Sequence, residues 1–319
     1  MKHFLLIVLY VHSFICFSQS KLEFEKISPM PNEAYAFASS ASDQDLYAIT
    51  GGDDFQKYTS QLQVYDIQLG SWLNIPIKGM PITNYASAVY MEDYHGLVTL
   101  GGTQPYGASV ALVEDIRIID LEDFSVTSLG KLPFPARNMG LVKKGNTIYF
   151  FGGSTQATPF FKTSNKFFSY DLDLGHLEML PDMPVAMETD GAIVNGHLYV
   201  FGGYDRASLS KVYKYNISKR EWTELNPLPK PLSSHEIVQY GKYIILVSDF
   251  NTTNQLIFYD TENERPVYYK MNLEARHLGA SVSGDYLYVY GGVNPTPHYY
   301  VRQEAYRFNL KEFLARREQ

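Results

Sequence analysis

Leu198-Tyr199-Val200-Phe201-Gly202-Gly203 is a short apolar β run closed by a glycine pair, and the chain repeats it. The same ending occurs at Leu46-Tyr47-Ala48-Ile49-Thr50-Gly51-Gly52, Leu97-Val98-Thr99-Leu100-Gly101-Gly102, Ile148-Tyr149-Phe150-Phe151-Gly152-Gly153 and Leu287-Tyr288-Val289-Tyr290-Gly291-Gly292. From Gly51 to Gly101 is 50 residues, to Gly152 another 51 and to Gly202 another 50, while the last gap of 89 to Gly291 holds two shorter units. The pair missing from that gap lies at Ile245-Leu246-Val247-Ser248-Asp249, where Ser and Asp replace glycine. Self-similarity at such a period marks an architecture built from repeated units, each unable to bury its own apolar face alone.

Each unit continues alike. Hairpin signals such as Gly145-Asn146, Asn195-Gly196, Gly241-Lys242 and Gly284-Asp285 precede the glycine-closed strand, because tight two-residue turns need positive φ. A third strand follows, ending in Asp or Asn at Asp66, Asp120, Asp171, Asn216, Asp260 and Asn309. Recurring where a strand ends, these residues are read as turn closers that bond their own backbone, not as catalysts. A fourth strand then runs toward a proline, as from Trp72 to Pro81 and from Trp222 to Pro229, with the tryptophans as packing residues between units. Four antiparallel strands per unit make a propeller blade.

The pattern resembles the kelch repeat, whose hallmark is a Gly-Gly pair after the second strand with a Tyr-Asp and a Trp further on. The resemblance runs from about Lys21 to Leu310 and implies an all-β, six-bladed kelch-type β-propeller. The last unit lacks a fourth strand, and Leu22 to Pro31 matches a fourth strand with none before it. The propeller is therefore expected to be closed by the N-terminal strand, which removes an open edge. The charged tail Lys311 to Gln319 is read as adding little.

Residues 1–20 read as a signal peptide: Lys2, an apolar run from Phe4 to Phe17, then Ser18 and Ser20. The run falls short of the ~20 apolar residues that span a bilayer, so no membrane span is expected after cleavage. Exported localisation, periplasmic or secreted, follows. Cys16 is the one cysteine, so the mature chain has none, which suits a bacterial exported protein better than a disulfide-bonded extracellular one. Sequons at Asn216-Ile217-Ser218 and Asn251-Thr252-Thr253 keep the eukaryotic alternative open. A net charge of -7 without a basic stripe argues against nucleic acid.

Because strands alternate direction, the loop entering each first strand and the loop after each second strand emerge on one face of the disc. Any site is expected there. Arg137 and Arg276 stand at the same repeat position, and kelch ligand-binding domains use arginines similarly placed to grip acidic ligands. The ligand-binding candidates are Arg137, Arg276, Asn84, Glu188, His235, His277, Tyr204 and Arg206; the catalytic candidates are Glu188 and His235. Expected partners are a glycan, an acidic small molecule or a protein. No cofactor or metal is expected: His235-Glu236 lacks the second histidine of a zinc-protease motif, and adjacent Asp53 and Asp54 leave calcium open only as a weak signal, since that ion takes about six to eight oxygens. There is no nucleophile elbow or phosphate loop. Copper-radical oxidases on kelch propellers need a cysteine that the mature chain lacks. The function is read as a binding module acting through the loop-bearing face. The alternative is a sugar epimerase or mutarotase, since exported sialic-acid mutarotases are similar in architecture, with Glu188 as base and Arg137 or Arg276 as carboxylate clamp.

Overall fold

The computed structural model describes residues 21–54, 57–58, 61–107, 109–157, 161–295 and 299–317; the signal peptide read at 1–20 lies outside them. The periodic runs form six four-stranded antiparallel blades. Blade 1 comprises Ala38–Ala41, Asp45–Ile49, Gln61–Asp66 and Ser71–Pro76; blade 2 Ser87–Met91, Gly96–Leu100, Asp115–Asp120 and Val126–Lys131; blade 3 Gly140–Lys144, Thr147–Phe151, Phe167–Asp171 and His176–Leu180. Blade 4 comprises Glu188–Val194, His197–Tyr204, Val212–Asn216 and Glu221–Glu224; blade 5 Glu236–Tyr240, Tyr243–Val247, Gln255–Asp260 and Arg265–Met271. Blade 6 takes Gly279–Ser283, Tyr286–Tyr290 and Ala305–Asn309 from the end of the chain, and its outer strand Glu25–Ile27 from the beginning.

The middle strands are buried on both faces, which is why they read as continuous aliphatic and aromatic runs: Leu46, Ile49, Phe150, Phe151, Phe201, Ile245 and Leu246 are each 0% exposed. The core lies between blades. Phe201 of blade 4, for example, packs edge-on against Tyr259 of blade 5 at 4.8 Å, with Ile244, Leu246 and Ile257 around them. The recurring Asp and Asn residues close turns, as Asp66, Asp171 and Asn216 accept the backbone N–H groups of Leu69, Leu174 and Lys219 through Oδ1 at 2.7, 3.0 and 2.9 Å. The tryptophans bridge blades: Trp222 Nε1 donates to the Pro181 carbonyl and Trp72 Nε1 to that of Ser28, both at 2.9 Å.

The glycine pair has a positional reason. Its second member donates its N–H to the next blade, as Gly102 to Ala136 and Gly203 to Leu232, and Gly203 has φ +102° with the space for a Cβ filled by the Glu188 carbonyl at 2.4 Å. In blade 1 the residues in this conformation are Thr50 and Gly51, one earlier than the Gly51-Gly52 pair in the sequence: Thr50 has φ 58°, and Gly51 donates to Thr83. In blade 5, Ser248 takes the left-handed position at φ 67°, and its Oγ donates to the Ala275 carbonyl at 2.5 Å, a substitute tie to blade 6.

Closure by the N-terminal strand is present and goes further than a single strand. Glu25, Lys26 and Ile27 pair with Arg307, Tyr306 and Ala305 in blade 6, while Lys21 and Leu22 run parallel to Lys270 and Met271 at the edge of blade 5. Between them Asn272 accepts from Phe24 N at 3.0 Å and donates to the Phe24 carbonyl at 3.1 Å. The first residues thus seal two blades. The charged tail is also more than a tail: Leu310–Ala315 is a helix, N-capped by Asn309 Oδ1 accepting from Glu312 N at 2.9 Å. Its Phe313 ring lies 5.1 Å from Phe258, 5.3 Å from Tyr269 and 5.3 Å from Phe308.

Candidate functional site

Where each inner strand enters, one residue pairs with the residue just beyond the left-handed pair of the same blade: Tyr35 with Gly52, Asn84 with Thr103, Arg137 with Ser154, Glu188 with Tyr204 and Arg276 with Val293. Ser233 stands there in blade 5, its carbonyl accepting from Phe250 N. These six residues therefore form one ring around the axis, and Arg137 and Arg276 are equivalent in it, as their spacing predicts. The next residue turns into the left-handed region in five blades, at Ala36, Tyr85, Asn138, Ser234 and His277 with φ between 51° and 58°. Such conformations are costly for non-glycine residues and persist where the surroundings over-determine them. Here a backbone chain does so: Ala36 N donates to the His277 carbonyl, Tyr85 N to that of Ala36 and Asn138 N to that of Tyr85. It narrows the mouth from blade 6 round to blade 3.

Behind the mouth the inner strands enclose a cavity of about 450 Å³ along the axis, lined by residues of all six blades, including Tyr85, Asn138, Glu188, Tyr204, His235 and His277. A relay of ring contacts crosses the mouth. The Arg137 guanidinium lies 5.6 Å from the centroid of Tyr85, Tyr85 meets His277 edge-on at 5.7 Å, His277 meets Phe250 at 6.4 Å, and Arg276 sits 4.3 Å over Phe250. Arg137 also faces Glu188 at 3.6 Å, both side chains being about one-seventh exposed (13% and 14%). Burial raises the Glu188 pKa, and the Arg137 charge and the Asn138 amide oppose the rise. Burial lowers His277 to about 4, assisted by the two positive neighbours Arg276 and Arg137. Buried polar atoms are left over here: Nε of Arg137 and of Arg276, Oδ1 of Asn84 and Oε1 of Glu188 have no hydrogen-bond partner. Two charge-bearing donors and two acceptors held unsatisfied suit an incoming polar group.

Further in, Asp190 and Glu236 occupy one register position of neighbouring blades, where the other four carry Ala38, Ser87, Gly140 and Gly279. Asp190 accepts from Gly191 N at 2.8 Å and from Ile237 N at 3.1 Å, stapling blades 4 and 5, and burial pushes its pKa up to about 7. Glu236 reaches Ser39 Oγ of blade 1 at 3.3 Å; burial, then the charge of Asp190, raise it well above the usual carboxylate range. No cluster of three metal-ligating side chains occurs among the described residues.

Comparison with known proteins places this architecture. The family model described as the KLHDC2/KLHL20/DRC7 Kelch-repeats domain matches residues 138–314, over half of the chain. The chain belongs to the kelch-repeat family. Kelch-like protein 38 of Rattus norvegicus is 26% identical over 259 residues, covering 79% of this chain and 43% of that protein. Kelch-like protein 23 of Mus musculus is 26% identical over 225 residues, 66% of this chain and 36% of that protein, and Kelch domain-containing protein 1 of Homo sapiens is 36% identical over 90 residues, 26% and 22%. This kelch chain thus spans less than half the length of the curated relatives it matches.

Of the residues singled out in the sequence, the kelch mouth brings together Arg137, Arg276, Glu188, His277 and, on the ring itself, Asn84. Tyr204 lines the cavity beside Phe161, at 5.1 Å edge-on. Arg206 stands apart: it is exposed in the hairpin turn after Tyr204 and does not line the cavity. Phe250, the platform under Arg276, follows the degenerate Ser248-Asp249 pair, where no motif draws notice to it. Asp190 and Glu236 show their role only against the small residues at the same register in other blades.

His235 is packed as a core side chain at the cavity wall. It is 6% exposed at the position where other blades pack Phe37, Ala86, Met139 and Leu278, and its ring meets the Phe201 backbone without a well-aligned hydrogen bond at either nitrogen. Burial, opposed by Asp249, holds its pKa at about 4, so the ring is neutral in the fold. The unfolded chain binds a proton at His235 below about 6.5, and stability therefore falls as pH drops from there toward 4. His235→Met, copying blade 3, should stabilise the propeller by ~1–3 kcal/mol by removing an unpaired buried group. Thermal melts at pH 7 and pH 5 check this. The gain should be larger at pH 5, and a loss of stability at both would return the ring to a required role.

Proposed function

We propose that this propeller is a protein-binding module whose loop-bearing face grips an acidic segment of its partner through Arg276 and Arg137. The supporting observation is the pair of equivalent arginines at the mouth, each with a buried Nε left without a partner. Around them the same face exposes Tyr106, Phe250, Tyr299 and Tyr300, at 73, 43, 40 and 44%. Aromatic and arginine side chains carry most of the energy in protein interfaces. A carboxylate offers each Nε the acceptor it lacks. The net charge of -7 repels acidic partners at long range, but screening beyond ~10 Å at 0.1 M salt leaves the local arginines in control. An epimerase reading draws no support from the matches. We also propose export of the mature chain from Lys21.

Selection of a random displayed peptide library on the immobilised propeller tests the reading. Enriched peptides should carry Asp or Glu, and the double variant Arg137→Ala, Arg276→Ala should lose them, at ~1.5–3 kcal/mol per charge-assisted contact. Equal enrichment on the folded double variant would reject the arginine site.

A further inference from the structure

The two arginines are equivalent in the repeat but not in their surroundings. In the mouth ring Arg137 is followed, one blade on, by Glu188, and the two side chains face each other at 3.6 Å. Arg276 lies between Ser233 and Tyr35 in the same ring; it has an aromatic platform in Phe250 and a hydroxyl partner in Tyr299, and no acidic partner among the described residues. One guanidinium is therefore open to an anion, and the other already holds one.

Resting on the acidic-partner reading above, we propose that Glu188 is an internal occupant of the Arg137 subsite, which a ligand carboxylate enters only by displacing it with uptake of one proton. The groups around Glu188 leave it little else to do once displaced. Blade 3 presents Arg137 and Asn138 to it, its own blade presents Tyr204 across the strand, and blade 5 contributes Ser234 and His235 to the same cavity wall. Arg137 is the one charge stabilising its ionised form, against burial that favours the neutral form. A second carboxylate on Arg137 divides that support and adds like-charge repulsion, so Glu188 becomes neutral. Ligand and proton then bind together, and a ligand with one carboxylate uses Arg276 alone. The mouth thus selects a ligand presenting two carboxylates.

The test uses N-acetyl-Glu-Glu as probe, titrated by calorimetry between pH 6 and 7.5 in two buffers of different ionisation enthalpy. The probe's side-chain carboxyls, near pKa 4.3, and its more acidic C-terminal carboxyl stay ionised throughout. The wild-type protein should take up a proton, and its affinity should rise up to ~10-fold per unit fall in pH. Glu188→Gln should bind roughly tenfold tighter at pH 7.5, independently of buffer and pH, and Arg276→Ala should weaken binding more than Arg137→Ala does. If wild type and Glu188→Gln bind alike without proton uptake while Arg276→Ala still weakens binding, the internal-occupant proposal is overturned and the acidic-partner reading stands. If the probe binds neither protein, or binds the double arginine variant as well as wild type, both fail. The wild-type proton count does not depend on any variant folding.

Discussion

A chain beginning at Pro31 should lose most of the stability of the propeller. Removing residues 21–30 strips the outer strand from blade 6 and the parallel pairing from blade 5, and uncovers surfaces now filled by Leu22, Phe24 and Met30, which are 8, 4 and 1% exposed. Burying a large apolar side chain is worth ~1.5–3 kcal/mol, so the three together hold roughly 5–9 kcal/mol, the scale of a whole domain's stability. The unpaired edges of Ala305–Asn309 and Arg265–Met271 then become templates for aggregation. Melting of the truncated protein should come ~10–20 °C or more below that of the chain from Lys21, or show no cooperative transition. Glu25→Ala, which removes the exposed pair with Arg307, serves as control and should change stability by under ~1 kcal/mol. A truncated chain melting like the longer one would leave the ring closed by other contacts.

Truncation after Asn309 is the second large effect. Leu310 is 0% exposed, and Phe313 completes an aromatic cluster with Phe258, Tyr269 and Phe308 beneath blades 5 and 6. Losing both should cost ~3–5 kcal/mol by lost burial and the cavity left behind. Urea unfolding measures it. Phe313→Ala alone should account for about half, whereas Lys311→Ala, on the exposed pair with Asp285, should be near neutral. If the truncated chain unfolds at the same urea concentration, the helix is a surface appendage.

The contrast between the two ends shows what the sequence makes legible. Blade strands are declared by period-two apolar runs ending in glycine, repeated in register, and the missing fourth strand of blade 6 is found by counting. Leu310 to Ala315 carries no repeat signal, and its buried Leu310 and half-buried Phe313 are separated by Lys311 and Glu312, so it reads as charged tail. The left-handed pair of blade 1 was displaced by one residue because Thr50 adopts the conformation that glycine adopts elsewhere, tied by its hydroxyl to the Thr83 carbonyl at 2.7 Å. At the candidate site, the equivalence of Arg137 and Arg276 is legible from repeat position. That one is occupied by Glu188 and the other stacked on Phe250 depends on neighbouring blades, about fifty and about twenty-five residues away in sequence, which no local pattern encodes. His235 looked reactive as a residue type; only its packing position, shared with Phe37 and Met139, shows it as a core side chain.

The central claim, that the loop-bearing face is the binding surface, is tested most directly by hydrogen exchange of the propeller with and without a peptide selected on it. Protection should appear in the segments around Asn84 and Tyr85, Arg137 and Asn138, Glu188, and Arg276 and His277, and in the loop at Phe250, while the hairpin turns at Gly145, Asn195-Gly196 and Gly284 on the opposite face exchange unchanged. Protection of those turns, or of the outer strands alone, with the mouth segments unchanged, would contradict the account.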